Sequence, residues 1–215
     1  MTARIVADDD AGRAAAIEAL RGGGIVALPT DTVYGIAVAL DTPGGIEALF
    51  AAKRRPPEKG IALLLADAAQ APAIGRWPEA AAALADAFWP GGLTVVVPQR
   101  PDVPLPAALT GGASTIGMRV PDHAAPRALA AAVGPLPTTS ANVSGLPEAQ
   151  TATEIVDQLG DAVALVIDAG PARGGAPSTV VDCSVDRPIL LRGGAVGAER
   201  IAAVLDVAGI AHDIV

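Results

Sequence analysis

The residues best suited to chemistry in this sequence are short hydroxyl and carboxylate side chains at the ends of apolar runs, with cations set among them. Leu28-Pro29-Thr30-Asp31-Thr32-Val33-Tyr34-Gly35 breaks an apolar run into a turn carrying three hydroxyls and a carboxylate. Loops at strand ends are where α/β folds present ligand-binding groups, although an ordinary Asx or Thr-capped turn uses the same residues. Lys53-Arg54-Arg55-Pro56-Pro57-Glu58-Lys59 places four cations around a proline-stiffened turn. A solvated run at a helix C-terminus accounts for such charges in isolation. Pro56-Pro57 restricts the loop, however, and crowds cations that a polyphosphate would neutralise.

In Ser114-Thr115-Ile116-Gly117-Met118-Arg119-Val120-Pro121 an arginine interrupts an apolar strand pattern. A strand alternates faces, so Thr115, Gly117 and Arg119 share one side, and Thr115 and Arg119 can reach one cleft. An edge strand with Arg119 in solvent is the alternative. Pro137-Thr138-Thr139-Ser140-Ala141-Asn142-Val143-Ser144-Gly145 is a dense run of small donors and acceptors after a strand, suited to phosphate or carboxylate. Pro177-Ser178-Thr179-Val180-Val181-Asp182 and Ile189-Leu190-Leu191-Arg192-Gly193-Gly194 each put a polar group at a strand end. There is no GxxxxGK[ST] loop, no strand-linked GxGxxG and no protein-kinase set, so side chains must hold any nucleotide phosphates.

Helices are expected over residues 11–21, 43–53, 79–88, 126–133, 154–159 and 198–207. The second should be capped by Thr42 with Pro43 at its first position. Strands are expected over 25–28, 61–65, 93–97, 115–120, 136–139, 163–167, 178–182 and 188–191. Strands interleaved with helices, joined by short Gly- and Pro-marked turns, predict one three-layer α/β domain over residues 1–215, with a sheet of about seven strands.

The 215 residues carry 15 basic and 23 acidic side chains, a net charge of −8, with 2% aromatics. Stable nucleic-acid binding is therefore not expected, since it calls for a basic surface and stacking platforms. A single cysteine, Cys183, and two separated histidines, His123 and His212, lack metal-ligand spacing. No apolar run is long enough to cross a bilayer, and acids follow the N-terminus before any signal-peptide core. A cytoplasmic location is expected.

Taken in order, PTDTVYG, KRRP, FWPGGLT, TIGMRVP, TTSANVSG, STVVD and LLRGGA resemble the YrdC/TsaC family of L-threonylcarbamoyladenylate synthases, over residues 22–195. The resemblance implies a YrdC-like domain with a twisted mixed sheet, helices on both faces and a concave cleft. It implies synthesis of a carbamoyl adenylate and pyrophosphate from ATP, L-threonine and bicarbonate, with Mg²⁺ accompanying ATP. The product would pass to a separate tRNA threonylcarbamoyl transferase.

Carried over by position, the resemblance implies ATP contacts from Lys53, Arg55, Lys59, Thr115, Ser140 and Arg192. Lys53 and Arg55 would act electrostatically on the triphosphate. L-threonine contacts would come from Thr32, Arg119, Thr138 and Ser178, with no metal ligand from protein alone. Lys59, Leu64 and Glu148 depart from the family's usual Asn, His and Ser. Two further readings share the same residues: a paralogue making a carbamoyl adenylate with a different acceptor, and an RNA-binding module.

Overall fold

Residues 3–56, 60–173 and 175–214 are described in a computed structural model of the chain. Their strands are β1 (Arg4–Ala7), β2 (Val26–Leu28), β3 (Gly35–Ala37), β4 (Ala62–Leu64), β5 (Leu93–Pro98), β6 (Thr115–Arg119), β7 (Leu136–Ser140), β8 (Leu165–Asp168), β9 (Thr179–Asp182) and β10 (Ile189–Arg192). All belong to one 10-stranded sheet in the order β1-β8-β2-β3-β7-β4-β6-β5-β9-β10. The sheet is mixed: β1/β8, β2/β8, β4/β6 and β5/β9 run parallel, whereas β2/β3, β3/β7, β4/β7, β5/β6 and β9/β10 run antiparallel. Between them run α1 (Asp10–Arg21), α2 (Gly45–Lys53), α3 (Glu79–Phe88), α4 (Ala107–Thr110), α5 (Ala124–Val133), α6 (Ala152–Leu159) and α7 (Ala198–Val207).

The sheet is thus larger than the expected seven strands. β1 escaped notice because it is an edge strand with mostly exposed side chains and no apolar alternation. β3 has only three residues and follows the 29–34 turn, which is in fact the loop of a β2–β3 hairpin. The expected Thr42 cap is also corrected. Thr42, Pro43 and Gly44 form a turn closed by the Gly45 N–H on the Thr42 carbonyl at 3.0 Å. Gly44, at φ 70°, then caps α2 from a conformation that favours glycine.

Helices cover the two sheet faces unequally. Ile46 and Leu49 of α2, Leu84 of α3, Ile155 of α6 and Ile201 and Leu205 of α7 pack with Ile36, Leu63, Val95, Met118 and Val181 of the sheet. On the opposite face only α1 and α5 pack, with Ala16 and Leu20 of α1 and Ala125, Leu129 and Ala130 of α5 buried against Val26, Leu28, Ala37, Leu136, Leu165 and Ile167. α1 lies over β1, β2 and β8, and α5 over β4 and β7. That leaves β6, β5 and β9 without a helix on this side, and the bare half-face is the floor of the site.

Candidate active site

Strand register decides what the bare face presents, because cross-strand partners point the same way. Thr138 pairs with Ala62, Arg119 with Leu64, Gly117 with Val96, and Thr94 with Val180. These residues line one cavity of about 350 Å³ with Thr30, Thr32, Arg55, Thr115, Ser140, Glu148, Ser178 and Arg192, a volume within the range of small-molecule sites. The expected division of β6 holds except at its start: Thr115, Gly117 and Arg119 face the cavity and Met118 and Val120 lie in the core beneath, but Ile116, expected on the core side with them, also reaches the cavity lining. A Cβ at Gly117 would meet Thr94 Cγ2 at 3.4 Å and Ala62 Cβ at 3.6 Å, so its absence leaves a shallow depression in the floor.

At one end of the cavity Arg119 is only 5% exposed. Its Nε donates to the Gly91 carbonyl at 2.9 Å, Nη1 to Thr32 Oγ1 at 2.9 Å and Nη2 to Asp31 Oδ1 at 2.5 Å. Asp31 Oδ1 also accepts the Asp122 N–H at 3.1 Å, which ties the hairpin loop to the start of α5. Burial pulls the Arg119 pKa down while Asp31 opposes the shift, and an arginine remains charged throughout. Three of its five N–H groups are committed, leaving two for a carboxylate in the cavity. Thr138 Oγ1 donates to the Leu136 carbonyl at 2.8 Å, so its hydroxyl offers lone pairs and suits an amine. Thr30 holds the hairpin loop in shape by donating to the Val33 carbonyl at 2.6 Å.

The other end is cationic. Arg55 donates to the Gly60 carbonyl at 2.9 Å and stands over the Phe50 ring at 5.8 Å. Arg192 folds across Ser178, with Nη2 donating to its carbonyl at 2.7 Å and its hydroxyl at 3.1 Å. Ser178 in turn shares a 2.8 Å hydrogen bond with Thr94. Burial lowers the pKa of both arginines, and each is also affected by charge in the site: Arg55 by Arg192, and Arg192, in the opposite sense, by Glu148. Gly194 secures this corner by close approach. A methyl group there would overlap the Pro177 carbonyl oxygen and the Ser178 backbone. Gly194→Ala should cost about 1–3 kcal/mol by overpacking and swing Arg192 away from Ser178. The check is the urea midpoint, which should fall accordingly.

Of the residues singled out from sequence, Thr32, Arg55, Thr115, Arg119, Thr138, Ser140, Ser178 and Arg192 share the cavity. Lys59 lies outside the described residues. Lys53, expected in the phosphate clamp, is instead 2% exposed and turned into the body of the protein. Its ammonium donates to the carbonyls of Ser140 at 2.5 Å and Asn142 at 2.6 Å, and to Asn142 Oδ1 at 3.0 Å. Asn142 Oδ1 also accepts the Ser140 hydroxyl at 2.6 Å, so Lys53 holds the Ser140 loop and leaves the cavity wall to Ser140. Asp31 and Gly91 were not singled out as site residues. The clue available for Asp31 was that an arginine buried in a strand requires a carboxylate partner.

The family model Sua5_yciO_yrdC, described as "Telomere recombination", matches residues 18–194. The chain is 37% identical over 200 residues to the threonylcarbamoyl-AMP synthase of Bacillus subtilis, covering 92% of this chain and 57% of that protein. It is 37% identical over 171 residues to the threonylcarbamoyl-AMP synthase of Vibrio cholerae, covering 78% of this chain and 90% of that one. The crystal structure of P. abyssi Sua5 complexed with L-threonine superposes with a TM-score of 0.87 at 32% identity, over 97% of this chain and 61% of that chain. The matched family region contains the hairpin loop, the Lys53–Ser140 junction and the Arg192 corner, and the chain belongs to the Sua5/YciO/YrdC family.

Proposed function

We propose that this chain is an L-threonylcarbamoyladenylate synthase, joining L-threonine, bicarbonate and ATP into threonylcarbamoyl-AMP with release of pyrophosphate. The observation that carries the reading is one cavity with a carboxylate-sized arginine fork at one end and two arginines beside a hydroxyl-rich loop at the other. Relatives named threonylcarbamoyl-AMP synthase support it. The L-threonine amine and bicarbonate condense to a carbamate with loss of water. A carbamate oxygen attacks the α-phosphorus of ATP, the bond to the β-phosphate bridging oxygen breaks, and pyrophosphate leaves.

Arg119 and Thr32 bind the amino-acid carboxylate, while Thr138 and Ser178 orient the amine and side-chain hydroxyl. Arg55, Arg192, Thr115 and Ser140 hold the nucleotide. No protein nucleophile is required, because positioning two bound reactants and neutralising phosphate charge account for the acceleration. Among the described residues no group of three or more His, Cys, Asp or Glu could hold a metal by itself. A Mg²⁺ carried by ATP needs few protein ligands and suits the oxygen donors Ser140 and Glu148 at this end; when bound it offsets phosphate charge. No helix among the described residues is long and apolar enough to cross a membrane.

The proposed product is a mixed anhydride, which an acyl transferase acting on tRNA would consume. The proposed location is the cytoplasm. The test is pyrophosphate release with bicarbonate present, comparing L-threonine, L-serine and no amino acid. Release dependent on L-threonine is expected. Release with another amino acid would favour the paralogue, which Leu64 in the cavity wall also favours.

A further inference from the structure

Resting on that reading, we propose that Glu148 makes the phosphate end of the cavity selective for a nucleotide complexed with a divalent cation over the metal-free nucleotide. Glu148 is the only carboxylate among the described residues lining a cavity that also presents Arg55, Arg119 and Arg192. Among the described residues its carboxylate accepts no hydrogen bond and makes no ion pair. Its charge nevertheless reaches Arg192 in the cavity wall and the buried Lys53 behind it, opposing the burial that lowers both of their pKa values.

The segment that carries Glu148 is pinned. Gln150 Nε2 donates to the Glu148 carbonyl at 3.1 Å, the Gln150 N–H is held by Glu154 at 2.7 Å, and Gln158 Nε2 donates to the Pro147 carbonyl at 3.1 Å. Ala149 is buried beside it. The backbone at Glu148 is therefore held at the cavity wall, and the side chain stands among the lining residues.

An anion in the cavity wall facing a polyphosphate repels it, and the repulsion is strengthened where walls exclude water. A divalent cation removes the conflict. Mg²⁺ is commonly held by one or two carboxylates together with substrate phosphates and water, so one carboxylate at this end is a sufficient protein donor. Arg55 and Arg192 alone would favour the more highly charged metal-free nucleotide. Glu148 reverses that preference.

The experiment is calorimetric titration of the full chain with adenylyl imidodiphosphate, in excess Mg²⁺ and in EDTA, for the wild type, Glu148→Gln and Glu148→Asp. Wild type and Glu148→Asp should bind about tenfold or more weakly in EDTA, and Glu148→Gln should lose most of that difference, to within about twofold, through tighter binding in EDTA. Matching unfolding midpoints for the three proteins establish that the fold is retained. Wild-type binding that is equal in both media, or an unchanged ratio in Glu148→Gln, overturns the proposal. An equal gain in both media also overturns it and leaves Glu148 as a general counter-ion to the arginines. No binding by the wild type in either medium would overturn the nucleotide reading of the cavity as well.

Discussion

Arg119→Ala is expected to raise the KM for L-threonine by about ten- to hundredfold and to lower stability by about 3–5 kcal/mol, the usual cost of removing one member of a buried ion pair. The variant would leave the Asp31 carboxylate with the Asp122 N–H alone, and would free the Gly91 carbonyl and the Thr32 hydroxyl of their donor. The hairpin loop, the 89–92 turn and β6 meet at this guanidinium, so its loss loosens three walls of the cavity together. Substrate binding loses a charge-assisted bond worth about 1.5–3 kcal/mol, about a ten- to hundredfold rise in the KM for L-threonine.

Urea unfolding and pyrophosphate kinetics separate the two effects. Asp31→Asn combined with Arg119→Ala should recover part of the stability, because no buried carboxylate is left unpaired, yet should recover none of the L-threonine affinity. Arg119→Lys should fall short on both counts, since an ammonium cannot replace a planar fork that already serves three acceptors. An unchanged KM for L-threonine in a folded Arg119→Ala protein would remove Arg119 from the carboxylate subsite.

Much of this arrangement could be read from local pattern. α3 and α7 match their expected bounds, residues 79–88 and 198–207, because amphipathic runs are bracketed there by Pro78 and Trp89-Pro90, and by Gly197 and the Ala208-Gly209 turn. The cavity face of β6 was largely legible for the same reason: period-two alternation separates Thr115, Gly117 and Arg119 from Met118 and Val120, although Ile116 at the strand's start also reaches the cavity. Features that depend on distant partners were not legible. A lysine in the last turn of a helix can project into solvent or turn inward, and the partners that draw Lys53 inward lie 87 and 89 residues away in sequence. The pairing of Asp31 with Arg119 spans 88 residues. Extended structure was expected to resume after the 29–34 turn, but three residues carry too short an alternation to count β3 as a strand of its own.

Lys53 yields the second large effect, and pH separates its two consequences. Burial, reinforced by Arg55 and opposed by Glu148, pulls the Lys53 pKa down to about 8. Below that pH the ammonium has three N–H groups for three close acceptors, the two carbonyls and Asn142 Oδ1. Above it the neutral amine has two donors and a lone pair, so one acceptor is released and the Ser140 loop slackens. Turnover should therefore fall as pH rises through about 8, following one proton.

Stability should not follow turnover down. The unfolded chain keeps its Lys53 proton up to the ordinary lysine value of 10.5, so between about 8 and 10.5 unfolding takes up a proton and rising pH favours the folded state. The cost of burying the ammonium is fully present below about pH 8 and is relieved above it. Lys53→Met, which keeps length without charge, should lower turnover by about a hundredfold through displacement of Ser140 and should lack the alkaline limb near pH 8. Lys53→Arg should not rescue it, because a planar guanidinium cannot converge on three acceptors grouped around a single nitrogen. If the limb near pH 8 persists in Lys53→Met, the titrating group lies elsewhere, and the inward-facing ammonium is a structural strut whose protonation does not govern the nucleotide end of the cavity.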